Sequence, residues 1–350
     1  MPKTYRTFTL SNAEYYRNPN METINKPKSR WQWLDAVKGI SILLVMISHI
    51  CELPPYLGNG CVSLFFIVAG YTAHKQGFKA LVGQKAKRLL IPYFFYGLSF
   101  FFAFCILART FNVSAFIGLF YSRYCLYPLN TGNNIFLLQQ NAPLWFATAM
   151  FVTYLGWYVF CRIKESRTYT SGAVILCFIL SIAMRHLPIL LPWSLDVSFF
   201  FLICMINGKC TYMHSFHLLK KKYRIHYIWI TVLYLVLCHF NGGSNPSVRE
   251  YGDLGALSIF IESVTALGEA LLLGWLFQLI GENAIVTRTF AFIGKHSLRL
   301  MCIHLPIFFL ITGILPSTNS YLLAVIKLTV VLAISIAIER IAHKLHLKYL

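Results

Sequence analysis

The sequence predicts an all-α integral membrane protein with about ten transmembrane helices and both termini in the cytoplasm. Its composition is the first indication, because 57% of the 350 residues are hydrophobic and only 12% are charged, whereas a soluble domain has roughly 25% charged residues. Its apolar stretches are the second. A bilayer core about 30 Å thick is crossed by about 20 apolar residues in a helix, and stretches of this kind recur along the whole chain.

Breaks at polar residues, glycine and proline delimit these stretches. We predict spans at 34–51, 60–77, 89–108, 143–161, 173–190, 195–213, 226–240, 257–280, 296–315 and 321–339. If the N-terminal tail is cytoplasmic, the outside loops contain only the cations Arg109, Arg123 and Arg249, and the inside loops contain most of the others. This asymmetry follows the positive-inside rule. Adding or removing one predicted span would place the cations of every later loop on the opposite side of the membrane.

We predict two regions, a basic cytoplasmic tail (1–30) and a single polytopic membrane domain (31–345). The tail lacks the apolar segment of a cleavable signal peptide. The net charge of +19 does not predict a nucleic-acid partner, because the cations are divided among loops instead of sharing one face. The ten cysteines have no metal-ligand spacing, so no metal is expected. The predicted location is the cell (inner) membrane, with the bilayer as a partner and homo-oligomerisation left open.

The longest outside segment, residues 109–142, is a candidate cover for a cavity mouth, since loops of this length are often functional. It is rich in tyrosine and amide side chains, which are common in sugar-binding surfaces: Tyr121, Tyr124, Tyr127, Asn130, Asn133, Asn134, Gln139, Gln140 and Asn141. Tyrosine is equally typical of the interfacial belt of any membrane protein. The sequence leaves both interpretations open.

The first span carries three ionisable residues, and a charged side chain within a span is a functional-site hypothesis. Asp35 and Lys38 are three residues apart and can pair on one helix face. His49 follows Lys38 by eleven residues, about three turns or roughly 16 Å along the axis. Histidine suits proton transfer near neutral pH. The alternative is an interfacial histidine hydrogen-bonded to a neighbour.

Five motifs in order resemble those of membrane acyltransferase family 3. They are Lys38-x10-His49, Ser63-Leu64-Phe65-Phe66-Ile67-Val68-Ala69-Gly70-Tyr71, Lys85-Ala86-Lys87-Arg88 leading to Pro92, Pro143-Leu144-Trp145-Phe146, and Gly294-Lys295-His296-Ser297-Leu298 followed by His304-Leu305-Pro306. The pattern is most similar to the stand-alone sugar O-acetyltransferases, such as fucose 4-O-acetylase-like proteins. One departure is Lys85, because the family has arginine there.

The resemblance implies a membrane O-acyltransferase that moves an acyl group, expected to be acetyl, from cytoplasmic acyl-coenzyme A to a hydroxyl of a cell-surface or lipid-linked carbohydrate. His49 would be the general base or a transient acyl carrier. Lys38, oriented by Asp35, would stabilise negative charge, although that pair is equally well structural. The basic residues before span three, which also fit the positive-inside rule, would bind the donor phosphates: Lys85, Lys87 and Arg88.

The substrate-binding candidates are Trp145, Glu262, Glu269 and His304. Glu262 and Glu269 are seven residues apart, hence nearly on one helix face, and buried carboxylates need a partner or a proton. A structural pairing with a cation elsewhere is the alternative, and His304 is also a candidate for a helix–helix hydrogen bond.

Two other functions stay open for the whole chain. They are a multi-pass transporter of a glycan precursor or small metabolite, and a non-catalytic sensor with the same fold.

Overall fold

The computed structural model describes residues 31–129, 135–164, 166–215, 224–316, 319–347 and 349. Within these residues the regular structure is helical, apart from two isolated β-bridges at Cys125–Phe136 and Asn245–Glu250. The predicted basic tail and the predicted amide positions Asn130, Asn133 and Asn134 lie outside the described part of the chain.

Fourteen α-helices are described. They are α1 (Gln32–Ser48), α2 (Pro55–Gly58), α3 (Ser63–Thr72), α4 (Phe78–Lys85), α5 (Ile91–Ala108), α6 (Val113–Tyr121), α7 (Trp145–Phe160), α8 (Arg167–Arg185), α9 (Leu195–Ser215), α10 (Arg224–Asn241), α11 (Leu257–Ile280), α12 (Ile285–Lys295), α13 (Ser297–Ile314) and α14 (Ser320–Lys344). A π-helical turn, Ala86–Leu90, joins α4 to α5. Short 3₁₀ helices cover Gln139–Leu144, Pro192–Ser194 and Pro246–Val248.

Seven helical segments of the described chain are long and apolar enough to cross a membrane: Phe78–Ala108, Gln140–Phe160, Arg167–Arg185, Pro192–Thr211, Leu257–Ile280, Ser297–Ile314 and Ser320–Lys344. The chain is therefore a multi-pass helical membrane protein, as the composition predicts. Each of the other three predicted spans also contains a helix. Those helices are shorter: α1 has 17 residues, α3 has 10, and the apolar part of α10 is Ile225–Asn241. Ten crossings remain a prediction.

Several predicted boundaries were wrong, and local chemistry explains them. Residues 78–88, predicted as a loop, are helical and continuous with α5 through the π turn. Pro92 follows that turn and has no N–H to offer a helical hydrogen bond, which favours a local widening of the helix. Helix α8 begins six residues earlier than predicted because the Ser166 side chain caps it, accepting from the Tyr169 N–H. Helices α6 and α12 lie in segments predicted as loops.

Glycines allow the closest helix contacts. A Cβ atom on Gly39 of α1 or on Gly294 of α12 would overlap the backbone of the facing helix. The same reciprocal contact joins α3 and α9 at Gly70 and Gly208. Small residues of this kind let helices pack closely in a membrane, where apolar burial gives little drive for association. Helix α1, which leads to His49, is thereby fixed against the helix that precedes α13.

Helix α13 contains a proline within its span, and a side chain from another element compensates for it. Pro306 has no N–H to donate to the Cys302 carbonyl one turn earlier. The Asn141 side chain donates to that carbonyl instead, with its Nδ2 atom 2.9 Å from the oxygen. Asn141 is buried and does not line the cavity that the amide-rich segment was predicted to cover. Its role in the described structure is to satisfy the backbone of α13.

We predict that Asn141→Leu lowers the free energy of unfolding by about 1–3 kcal/mol, the usual cost of leaving a buried polar group without a partner. In a Pro306→Ala background the restored N–H can satisfy Cys302, so the same substitution should cost much less. Thermal unfolding of the four proteins in one detergent measures this coupling. An equal cost in both backgrounds would contradict the capping role.

Candidate active site

The first site feature is a cavity of about 560 Å³ around the end of α1, which we call the His49 cavity. It is enclosed by the end of α1, the segment after it, the start of α7, the first turns of α11, the segment before α11, and one face of α13. Its polar lining comprises Ser48, His49, Asn59, Ser63, Tyr124, Ser244, Asn245, Ser247 and Glu262. Trp145 and Phe146 form part of its apolar lining. A space of this size, with both polar and apolar lining, admits a small-molecule ligand.

His49 lies directly after the last residue of α1, and its ring is next to that of His304 on α13. The two ring centroids are 5.2 Å apart with an interplanar angle of 40°. His304 Nδ1 lies 2.8 Å from the Leu300 carbonyl oxygen. A carbonyl can only accept, so Nδ1 carries the proton and Nε2 keeps its lone pair. This buried Nε2 has no hydrogen-bond partner among the described residues, although His304 itself does not line the cavity.

Glu262 supplies the carboxylate of the His49 cavity, and three donors hold it. The Gly60 N–H and the Ser63 hydroxyl reach Oε1 at 3.1 and 3.5 Å. The Ser244 hydroxyl donates to Oε2 at 3.0 Å. Helix α11 thus places one satisfied acidic group on the cavity wall. The sequence identified Glu262 but not its donors, which lie 18 to 202 residues away along the chain.

Asn59 ties together the two segments that supply these donors. Its Nδ2 donates to the Gly242 carbonyl at 2.6 Å, and its Oδ1 accepts from the Ser244 N–H at 2.9 Å. Glu269 lies behind this arrangement and does not line the cavity. A Cβ atom on Gly60 would be only 2.5 Å from Glu269 Oε2, and Gly60 has a φ of +81°, so glycine suits this position on two counts. Of the two predicted carboxylates, only Glu262 faces the cavity.

The second feature is a cavity of about 610 Å³, which we call the basic cavity. Its basic lining residues are Lys87, Arg88, Lys295, His296 and Arg299. Its other lining residues are Gly83, Gln84, Pro92, Tyr96, Leu298 and Tyr349. Among these residues there is no carboxylate, so the lining favours an anionic ligand. His296 is paired through Nε2 with Glu339 at 2.9 Å.

The structure places two of the three predicted donor-binding residues in the basic cavity and the third outside it. Lys87 and Arg88 line the basic cavity, as their position before span three suggests. Lys85 does not, because its ammonium lies 3.6 Å from the centroid of the Tyr154 ring in a cation–π contact. The facing wall of Lys295, His296 and Arg299 was not predicted as a site. Its only sequence signal was that Lys295 and His296 lie within a family motif.

Helix α13 contributes to both cavities. Arg299 lines the basic cavity and Met301 lines the His49 cavity, although the two residues are only about 3 Å apart along the helix axis. The cavities therefore approach each other on different faces of one helix.

The remaining predicted residues are placed as follows. Lys38 pairs with Asp35, with its Nζ 2.6 Å from Oδ1, as their spacing suggests. Neither residue lines the His49 cavity or the basic cavity, so the structure does not bring them to His49. Trp145 lines the His49 cavity, and its ring stacks on Phe201 with centroids 5.9 Å apart.

Sequence reasoning also missed a buried ion cluster near the His49 cavity. Arg123 Nη2 lies 2.9 Å from Asp196 Oδ2, and Arg249 Nε lies 3.5 Å from the same oxygen. Arg249 also donates to the backbone carbonyls of Met184 and Leu187. These contacts tie the segment after α6 and the segment before α11 to the start of α9. Residues from three distant segments form the cluster, so no local spacing indicated it.

Comparison with known proteins identifies the family. Neither the search of curated proteins nor the search of solved structures gave a match. A family model described as an acyltransferase domain, that of acyltransferase family 3, matches residues 31–340. This range includes every helix that lines the two cavities. It also includes all the site residues discussed above apart from Tyr349. The chain therefore belongs to acyltransferase family 3 and is a membrane acyltransferase.

Proposed function

We propose that this acyltransferase moves an acyl group, most simply acetyl, from cytoplasmic acyl-coenzyme A to a hydroxyl of a cell-surface or lipid-linked carbohydrate. The observation that carries the proposal is the pairing of two cavities on one helix. One holds a histidine in polar surroundings. The other is lined by cations and contains no carboxylate among its described lining residues.

We further propose ten crossings of the cell membrane with both termini in the cytoplasm. The arrangement of the cavities supports this orientation. Lys87 and Lys295 of the basic cavity come from segments predicted to lie inside, where coenzyme A is made. Asn59 and Ser244 of the His49 cavity come from segments predicted to lie outside. The donor would bind from the cytoplasm, and the acceptor from the other face.

In the proposed reaction His49 acts as the general base. It takes the proton from the acceptor hydroxyl as the oxygen attacks the thioester carbonyl. A carbon–oxygen bond forms and the carbon–sulfur bond breaks. The proton passes from His49 to the departing thiolate, so the free thiol of coenzyme A leaves. His304 acts as a positioning residue, since its ring packs beside that of His49.

The acceptor would be held by polar and aromatic residues that line the His49 cavity together with His49. Glu262 and Ser244 offer a carboxylate and a hydroxyl that can bind sugar hydroxyls. Trp145 offers an apolar ring face, which suits the CH-rich side of a sugar. The donor would be held by charge-assisted hydrogen bonds from Lys87, Arg88 and Lys295 to its phosphates.

We predict that His49→Ala lowers acyl transfer by a factor of about 10² to 10⁴, the usual effect of losing a general base. Purified protein in lipid nanodiscs would be given radiolabelled acetyl-coenzyme A and a panel of glycans. His343→Ala is the matched control, because His343 is exposed near the end of α14. Equal transfer by wild type and His49→Ala would exclude the proposed role of His49. Glycan transport into vesicles without any acyl transfer would favour the transporter instead.

We predict that Lys87→Ala and Lys295→Ala, on opposite walls of the basic cavity, each raise the KM for acetyl-coenzyme A about 10-fold or more. The reason is that a hydrogen bond to a charged group contributes about 1.5–3 kcal/mol. Lys164→Ala is the control, since Lys164 is exposed and lies outside the basic cavity. Initial rates at several donor concentrations measure the effect. An unchanged KM in both variants would place the donor elsewhere.

A further inference from the structure

Several elements contribute apolar residues to the lining of the His49 cavity, and α13 is one of them. Helix α13 contributes Met301, Leu305 and Phe309, which are spaced four residues apart and therefore lie along one side of the helix. Their exposure increases along this row, with Met301 3%, Leu305 9% and Phe309 48% exposed. The row thus runs from the buried interior of the cavity to the outer surface of the helix bundle.

The depth of Phe309 indicates what it meets at that surface. It lies within the membrane-spanning segment Ser297–Ile314, about 18 Å along the helix axis from Ser297. An exposed apolar side chain within a span faces the hydrocarbon of the bilayer. The cavity therefore has an apolar edge that is continuous with the membrane interior.

Other residues of the lining have the contrasting chemistry. Glu262, Ser244 and Asn59 form a network of hydrogen bonds in the cavity wall, and His49 lines the same cavity at the end of α1. A free sugar would leave the row on α13 without a partner. A plain lipid would make no use of the hydroxyl, amide and carboxylate groups of the lining. A molecule with a polyhydroxylated head and a hydrocarbon tail matches both the polar residues and the apolar row.

We propose that the acceptor is such an amphiphile and that it enters the His49 cavity sideways from the membrane. Its hydrocarbon tail would lie along Leu305 and Phe309 within the leaflet. Its head would lie against Glu262 and Ser244, with one hydroxyl at His49. This inference rests on the proposed acyl transfer. It narrows the acceptor to a lipid-linked carbohydrate, as distinct from a soluble sugar or a surface polymer.

The test uses native acceptors, so the sugar need not be known in advance. Membranes containing the full-length protein are incubated with radiolabelled acetyl-coenzyme A, and the products are separated into lipid-extractable, water-soluble and polymer fractions. We expect label that depends on His49 to accumulate in the lipid-extractable fraction. Phe309→Ser should reduce that label by about 10-fold, and Phe309→Leu, which stays apolar, should retain most of it.

Ile314→Ser is the matched control, because Ile314 is on the same helix, is 75% exposed and does not line the cavity. It should leave the lipid label unchanged. Thermal unfolding of each variant checks that Phe309→Ser is folded. Label that depends on His49 but appears only in the water-soluble or polymer fraction would overturn the amphiphilic acceptor and preserve the acyl transfer. Equal loss in Phe309→Ser and Ile314→Ser would overturn the sideways path, and the absence of any label that depends on His49 would overturn both proposals.

Discussion

A transmembrane helix must satisfy its backbone hydrogen bonds without water, and this constraint shapes the helix on which both cavities depend. Pro306 interrupts the hydrogen-bonding pattern of α13 within its span, and Asn141 satisfies the carbonyl that is released. The same helix places Arg299 in one cavity, Met301 in the other and His304 beside His49. Asn141, in the segment before α7, thereby stabilises the helix on which the arrangement of the two cavities depends.

The separation of the cavities also has an electrostatic meaning. Binding a phosphate-rich donor needs several cations close together. A histidine that must accept a proton is poorly placed among cations, because they disfavour its charged form. By lining the two cavities with different faces of α13, the protein keeps Arg88 and Lys295 near the proposed donor phosphates. It surrounds His49 with hydroxyl, amide and carboxylate groups instead. The flexible arm of the donor would then bring the thioester to the histidine.

Much of this arrangement could be predicted from the sequence, for identifiable reasons. Apolar length gave the helical membrane fold, and local spacing gave the Asp35–Lys38 pair. The sequence singled out His49, Trp145 and Glu262 by their positions in the spans, and the structure brings all three to one cavity. The predictions that failed were those that depended on which group a side chain contacts. Lys85 faces Tyr154, and Asn141 binds a distant carbonyl. Helical periodicity gives the face that a residue occupies, but not the element packed against that face.

The two buried arginines, Arg123 and Arg249, show that a count of cations in the sequence does not give the charge of the folded surface. Arg123 and Arg249 are two of the three cations on the side proposed as outside, yet both contact Asp196 and are almost completely buried. They stabilise the packing of that end of the bundle and contribute little charge to its surface. Among the predicted outside cations, only Arg109 is exposed. The inside surface still carries exposed cations such as Lys87 and Lys295. In the proposed orientation, in which the basic cavity opens to the cytoplasm, the charge asymmetry between the two folded surfaces is therefore sharper than the residue count suggests.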